Sequence, residues 1–169
     1  MDTPDDQIRR WCRNDDQGAF NQFYRVQAER LWRFLVARGV HPEGAYDVVA
    51  DSFERFVNTV CKRPDAPVAL LYRIALNAAT DSWRRQRVRE PGEAVDPEQL
   101  GVDAGEAERL VEVDHLLADL DESEQNLLLL RYWVGLTHRE VAQVVDLPEG
   151  TVRRRFAELL GRLQQDGQD

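Results

Sequence analysis

The sequence predicts an all-α fold built from two small helical domains joined by an acidic linker. Apolar residues recur at three- and four-residue spacing in both halves of the chain, which is typical of amphipathic helices. An acidic stretch broken by proline and glycine separates the halves, as a linker would. The chain has 169 residues, 43% of them hydrophobic, which is enough for two small cores. We expect domains at residues 1–90 and 113–169, with the linker at 91–112.

The first half of the chain is predicted to be helical. A helix from about Asp16 to Arg38 gathers aromatic and leucine side chains on one face, and Gly39 suits its end. The next helix begins near Pro42, because proline fits the first helical turn. Its outer side carries an acidic stripe formed by Asp47, Asp51 and Glu54. A stripe of this kind is most often a solvated helix face, so it assigns no partner by itself.

A third helix is predicted from about Val68 to Arg87, with small and apolar residues on its inner side. Its outer side combines an amide, charged groups and an aromatic ring: Arg73, Asn77, Asp81, Trp83, Arg84 and Arg85. Such groups can hydrogen-bond to unpaired bases and stack on them. Taken alone, a polar outer face with a half-buried tryptophan is the more common explanation.

Charge is distributed unevenly along the chain. The formal net charge of −9 opposes DNA binding, because the phosphate backbone repels an acidic protein. Residues 83–89, WRRQRVR, hold four arginines, whereas residues 90–124 hold thirteen acidic side chains against Arg109 alone. We therefore expect weak DNA binding by the isolated chain and stronger binding when a partner supplies further contacts.

The second half is predicted to end in a helix-turn-helix. A helix that begins at about Val113 is followed by one that Asp121 or Ser123 can cap. Thr137 and Glu140 form a capping box, so the next helix should start at Thr137. The run breaks at residues 146–148, and a last helix opens near Pro148. Its apolar stripe consists of Val152, Phe156, Leu159 and Leu163.

The outer face of this last helix is basic, because Arg153, Arg154 and Arg155 follow one another. A helix-turn-helix uses such a face to place its second helix in the major groove of DNA. Arginine runs also occur on solvated helices, so the motif alone favours DNA binding without establishing it.

Several classes of function are not indicated. Cys12 and Cys61 suggest neither a metal site nor a disulfide framework, and the three histidines are scattered. No segment has the length of a membrane span, and the acidic start is unlike a signal peptide, so we expect a cytoplasmic protein without membrane insertion. Phosphate loops, nucleophile motifs and clustered metal ligands are absent from the sequence, which predicts a protein that is not an enzyme and needs no cofactor.

Three segments in this order resemble a bacterial RNA polymerase sigma factor of the sigma-70 family, extracytoplasmic-function (ECF) group. Phe20 to Phe56 is similar to the family's polymerase-binding segment, Ala69 to Arg87 to its signature for the minus-10 promoter element, and Leu136 to Leu163 to its minus-35 reader. The resemblance implies a sigma-2-like helical bundle, a linker, and a sigma-4-like helix-turn-helix domain. It further implies that the chain binds core RNA polymerase and directs promoter-specific initiation of transcription.

The resemblance also implies roles for individual residues. The helix that docks on the clamp helices of the largest polymerase subunit is matched by Asp47, Asp51, Phe53 and Glu54. Capture of a base flipped from the melted minus-10 strand is matched by Asn77, flanked by Arg73, Asp81, Trp83, Arg84 and Arg85. The minus-35 recognition helix is matched by Pro148, Glu149, Thr151, Arg153, Arg154 and Arg155. The polymerase flap region is the second expected contact, and the acidic linker would follow the RNA exit path.

The docking helix departs from the family pattern in charge. Gly44 and Tyr46 stand where acidic residues are common in the family, which weakens docking. One hypothesis, suggested by kinase-linked members of the family, is that phosphate on Ser52 or Thr59 restores the missing charge. The regulator implied by the resemblance is thus an anti-sigma factor or a Ser/Thr kinase.

The alternative is a stand-alone helix-turn-helix repressor or activator. That class predicts a dimer with tight, operator-specific binding in the absence of polymerase, since one short recognition helix makes few contacts. The net acidity and the distance in sequence between WRRQRVR and the last helix argue against it.

Overall fold

A computed structural model describes residues 2–85 and 103–167, and the regular secondary structure in these ranges is helical. The N-terminal unit consists of α1 (Pro4–Asn14), α2 (Gln17–Ala37), α3 (Pro42–Thr59), a short 3-10 turn (Val60–Lys62) and α4 (Pro67–Arg85). The C-terminal unit consists of α5 (Ala104–Leu117), α6 (Glu122–Leu128), a π-helical turn (Leu129–Trp133), α7 (His138–Val145) and α8 (Glu149–Asp166). Within the described ranges, no helix combines the length and the apolar character needed to cross a membrane.

Local signals place the helix ends of the N-terminal unit. Asp16 caps α2 by accepting a hydrogen bond from the Ala19 amide, and Gly39 adopts a φ of 100° after the helix ends. Pro42 occupies the first turn of α3, as predicted. Helix α1 was not predicted from sequence, and it begins with a capping box formed by Thr3 and Asp6.

An aromatic cluster forms the centre of the N-terminal unit, where α3 packs against α2 and α4. The rings of Phe23 and Phe56 stack with centroids 5.3 Å apart, and Phe53 meets Phe56 edge-on at 6.0 Å. Full burial of each such side chain contributes about 1.5–3 kcal/mol to stability. The cluster fixes the orientation of α3, so its acidic stripe points outward.

The C-terminal unit contains the predicted helix-turn-helix. Thr137 caps α7 within a capping box completed by Glu140, which confirms the predicted start. Asp146 ends α7 in the left-handed conformation with φ 56°, and Pro148 occupies the N-cap position of α8. The apolar stripe of α8 is largely buried, as expected, through Val152, Phe156 and Leu159.

Two parts of the expected organisation need correction. Helix α5 begins at Ala104, so part of the stretch assigned to the linker, residues 104–112, is helical. Its apolar positions follow no sustained period before Val113, and packing against α2 compensates for the weak local signal. The other correction concerns Cys12 and Cys61, which form a disulfide across a sequence separation of 49 residues.

The two units pack against each other through α4 and α7. A buried arginine forms a second connection: Arg38 Nη1 donates to Oε1 of Gln125 at 2.5 Å, and Arg38 Nε donates to Oδ1 of Asn126. Gln125 in turn donates to the carbonyls of Leu117 and Leu120. Burial lowers the pKa of Arg38 to about 10, with Glu122 opposing the shift, so the guanidinium remains charged at neutral pH.

Candidate functional site

The N-terminal half of α8 presents the predicted minus-35 face to solvent. Pro148, Arg153, Arg154 and Arg155 are exposed, whereas Glu149 and Thr151 are half-buried. Arg153 Nη2 lies 2.9 Å from Oε1 of Glu149, one turn earlier on the same helix. Because both side chains are solvated, this pair is weak and can yield Arg153 to a stronger anionic partner. Arg155 lies closer to the body of the unit and donates to Ser123 Oγ at 3.5 Å.

A histidine lies beside this face. His138 at the start of α7 has its ring 5.2 Å from that of Phe156. The pKa of His138 is lowered by burial first, and then by the nearby charges of Arg153 and Arg131, with Glu149 opposing them. The lowered pKa favours the neutral imidazole. The arginines, and not the histidine, supply the positive charge that phosphates would meet.

The predicted minus-10 face lies on α4. Arg73 and Asn77 are exposed one turn apart, on the side opposite the buried Leu71, Ala75 and Ala79. The helix continues through Arg85, so Asp81, Trp83, Arg84 and Arg85 belong to it, but their side chains lie outside the part of the chain that the structure describes. Arg73 also reaches the C-terminal unit, with Nη2 4.0 Å from Oδ2 of Asp146.

The acidic stripe of α3 is accessible. Asp47 and Glu54 are exposed, and Asp51 is partly exposed with its carboxylate 3.2 Å from Arg55. Phe53 does not belong to this surface, because it is only 5% exposed and its ring packs against that of the buried Phe56, with centroids 6.0 Å apart. Helical periodicity puts Phe53 on the apolar stripe with Val49 and Phe56. The expectation of a direct contact between Phe53 and polymerase is therefore corrected: Phe53 packs in the core beneath the acidic stripe and holds α3 in position.

The two candidate phosphorylation positions differ in accessibility. Ser52 is fully buried, and its hydroxyl donates to the Val48 carbonyl at 2.6 Å. A kinase cannot reach that hydroxyl in the folded protein, so Ser52 is corrected to a structural residue. Thr59 at the end of α3 is exposed and its hydroxyl donates to the Arg55 carbonyl at 2.8 Å.

One residue, Tyr46, joins the candidate surface on α3 without having been assigned to it from sequence. Tyr46 is 63% exposed beside Asp47, and its ring centroid lies 5.4 Å from that of Trp32. An exposed aromatic held by a buried one is suited to a protein contact. Arg38 belongs to none of these surfaces; it is buried at the connection between the units, and its only sequence signal is its place directly before Gly39.

Metal chemistry finds no support in the described ranges, where no group of three or more His, Cys, Asp or Glu side chains could hold a metal ion. The observed surfaces are suited to binding: acidic on α3, amide and basic on α4, and basic on α8.

Comparisons with known proteins identify a matching family model and several sequence relatives. A family model described as "Sigma-70, region 4" matches residues 116–165. The chain is 30% identical to the ECF RNA polymerase sigma factor SigC of Mycobacterium tuberculosis over 158 residues, covering 89% of this chain and 84% of the relative. It is 28% identical to the ECF RNA polymerase sigma factor RpoE of Cereibacter sphaeroides, covering 89% and 87%. With the ECF RNA polymerase sigma-E factor of Haemophilus influenzae it shares 32% identity, covering 72% and 74%.

The fold has a counterpart among solved structures. The structure of CnrH in complex with the cytosolic domain of CnrY matches with a TM-score of 0.64 and 23% identity, and the match covers 96% of this chain and 98% of CnrH. The two chains therefore share an arrangement of helices over nearly their whole length. Together with the sequence relatives, these findings show that the chain belongs to the family of ECF RNA polymerase sigma factors.

Proposed function

We propose that this sigma factor docks on core RNA polymerase through the acidic stripe of α3, captures melted minus-10 DNA with α4, and reads minus-35 duplex DNA with α8. The observation that carries the proposal is that three chemically different surfaces lie exposed on three helices. A carboxylate stripe suits a basic protein groove, whereas arginines at the start of a helix suit phosphates and guanine edges. Binding energy alone performs these tasks, so we propose no enzymatic step and no cofactor.

The proposed docking surface is the exposed side of α3, which would contact the clamp helices of the largest polymerase subunit. Asp47, Asp51 and Glu54 supply its charge, and Tyr46 supplies an apolar contact among them. The helix-turn-helix unit would make the second contact at the flap region. Since the protein would act together with the polymerase, we propose the cytoplasm as its place of action.

The proposed division of the chain follows the function: residues 1–90 for docking and minus-10 melting, 91–112 as the connection, and 113–169 for minus-35 recognition. Since α5 begins at Ala104, the connection would contain the first turns of that helix.

The packing of α4 against α7 holds the two units together in a closed form. This form must open when both units bind promoter DNA. The two promoter elements are about 25 base pairs apart, or roughly 80 Å along the duplex at about 34 Å per turn. Helices in contact cannot engage both elements at that separation. We therefore propose that polymerase binding separates the units and breaks the connection made by Arg38.

Replacing Arg38 with alanine should favour the open form. The substitution removes the donor to Oε1 of Gln125 and to Oδ1 of Asn126, which weakens the interface by about 1–3 kcal/mol. The expected result is a larger radius of gyration of the free protein in small-angle X-ray scattering. Arg55→Ala, which removes an exposed arginine within α3, is the control and should leave the radius unchanged. An unchanged radius in the Arg38 variant, with helicity intact, would contradict the opening mechanism.

Regulation by an anti-sigma factor or a Ser/Thr kinase places different demands on the surface. An anti-sigma factor needs only the docking surface or the α4 face to be accessible, and both are exposed in part. Of the two predicted positions only Thr59 is accessible to a kinase, and phosphate there would add negative charge at the C-terminal end of α3.

Glutamate substitutions at Ser52 and Thr59 should differ in their effect on stability, because Ser52 is buried and Thr59 is exposed. Ser52→Glu should lower the free energy of unfolding by more than about 3 kcal/mol, because it buries a carboxylate without a partner. Thr59→Glu should cost about 1 kcal/mol or less, since it adds an exposed negative charge near a helix C-terminus. Chemical denaturation measures both changes. Control by a kinase further predicts that the Thr59→Glu variant, but not the Thr59→Gln variant, binds core polymerase more tightly than the unsubstituted protein. Equal affinities would exclude kinase control at this helix and leave an anti-sigma factor as the proposed regulator.

The direct test of the proposed function is transcription from genomic DNA by core polymerase with and without the protein. New transcript starts that share two upstream elements are expected. If the protein instead bound specific DNA as a dimer without polymerase and added no starts, it would act as a stand-alone repressor or activator.

A further inference from the structure

The disulfide between Cys12 and Cys61 lies outside the three proposed binding surfaces. It joins α1 to the 3-10 turn that connects α3 with α4. Cys61 is an exposed residue and Cys12 is half-buried, so small reagents can approach the pair from the side of Cys61. We propose that these cysteines form a reversible thiol–disulfide modification site, which fixes α1 to this connection when it is oxidised.

The fold brings the two cysteines together without requiring the bond. Ile8 is fully buried, and the ring of Trp11 lies 4.7 Å from that of Phe20 on α2. These contacts hold α1 against α2 whether or not the sulfurs are joined. An exposed pair, Arg9 with Asp65 at 3.7 Å, adds a weak connection between α1 and the segment that follows this turn. The reduced thiols therefore remain neighbours, which is the condition for rapid re-formation of the bond.

In the cytoplasm, the proposed place of action, a disulfide matters mainly if it can form and break reversibly. Bacterial transcription takes place where thiol pools keep most cysteines reduced, and disulfides there are usually transient and redox-sensing. This step rests on the proposed place of action. The cysteine chemistry itself does not, since it can be measured on the isolated protein.

Oxidation by a peroxide gives a balanced reaction. The Cys61 thiolate attacks one peroxide oxygen, the O–O bond breaks, and a sulfenic acid and one water form. The Cys12 thiolate then attacks the Cys61 sulfur, the S–S bond forms, and hydroxide leaves and takes up a proton as the second water. The thiol pair loses two electrons and two protons, and the peroxide is reduced to two waters. A dithiol reverses the change by thiol–disulfide exchange.

Oxidation should alter α1 more than the rest of the protein. The bond closes a loop of 49 residues in sequence, and cross-linking a loop of this length stabilises mainly by restricting the unfolded chain. We expect the oxidised protein to melt roughly 10 °C higher than the reduced protein. Trypsin should cut α1 at Arg9, Arg10 and Arg13 several-fold more slowly in the oxidised protein, because local opening of α1 is restrained.

The test uses the whole 169-residue chain, first reduced and then treated with hydrogen peroxide. The intact mass should fall by about 2 Da, the mass of two hydrogens, and peptide mapping should recover a Cys12–Cys61 cross-link within one chain. Dithiothreitol should restore the reduced mass, melting temperature and trypsin pattern. The Cys12→Ser variant should instead give a sulfenic acid on Cys61 that dimedone traps. Thiols that stay free in peroxide, cross-links only between chains, or a bond that resists dithiothreitol in the folded protein would each overturn the proposal.

Discussion

Replacing both Asp47 and Asp51 with lysine is expected to lower the affinity for core RNA polymerase by roughly 30- to 100-fold, equivalent to about 2–3 kcal/mol. Both carboxylates lie on the outer side of α3, away from the aromatic cluster that fixes the helix. The reversal places like charges against a basic groove and leaves the fold intact. Competition binding against a labelled sigma factor measures the effect, which should shrink as salt is raised.

The control carries the same change in net charge at a different place. Glu112 and Asp119 are exposed carboxylates of the C-terminal unit, and their replacement by lysine should alter polymerase affinity by less than about threefold. If both double variants lost affinity equally, net charge and not the α3 stripe would explain the loss.

Replacing Arg153 with alanine is expected to weaken binding of the holoenzyme to promoter duplex by about 5- to 150-fold if the arginine reads a base edge, the range given by about 1–3 kcal/mol. Arg153 is exposed on α8 and is held by Glu149 through a solvated pair that costs little to break. If Arg153 instead contacts a phosphate, its loss should weaken binding to all DNA sequences alike. The slope of log affinity against log salt concentration should then fall by about one. Titrations on promoter and scrambled duplexes at several salt concentrations distinguish the two roles.

Arg109→Ala provides the matched control, because this exposed arginine lies on α5 and outside the recognition helix. It should leave promoter affinity nearly unchanged. Equal losses in both variants would show that α8 acts only through the overall charge of the protein.

Local chemistry predicted much of the helical framework. The Thr137 and Glu140 capping box, the proline at position 42 and the glycine at 39 each mark a helix end through interactions with nearby backbone. Because such signals depend only on residues close together in the chain, they can be recognised without knowledge of the tertiary structure. The three candidate surfaces could be located for the same reason, since helical spacing separates a buried stripe from an exposed one.

What the sequence could not predict depends on contacts between distant segments. The pairing of Cys12 with Cys61 and the burial of Arg38 against Gln125 arise only when separate helices pack. Ser52 illustrates a different limit: its small side chain satisfies its hydroxyl on the Val48 carbonyl, so a polar residue enters the core at little cost. Phe53 was assigned to docking by family resemblance even though its spacing indicated the core.

The proposed roles of α4 and α8 are tested by comparing the Asn77→Ala and Arg153→Ala variants in holoenzyme on one promoter. Footprinting measures closed binding, and permanganate reactivity of unpaired thymines measures opening. We predict that the Asn77 variant binds near normally but opens poorly, because base capture offsets the few kcal/mol of unstacking only after melting begins. The Arg153 variant should bind weakly and open normally once bound. Failure of both variants at the same step would contradict the assignment of minus-10 capture to α4 and minus-35 recognition to α8.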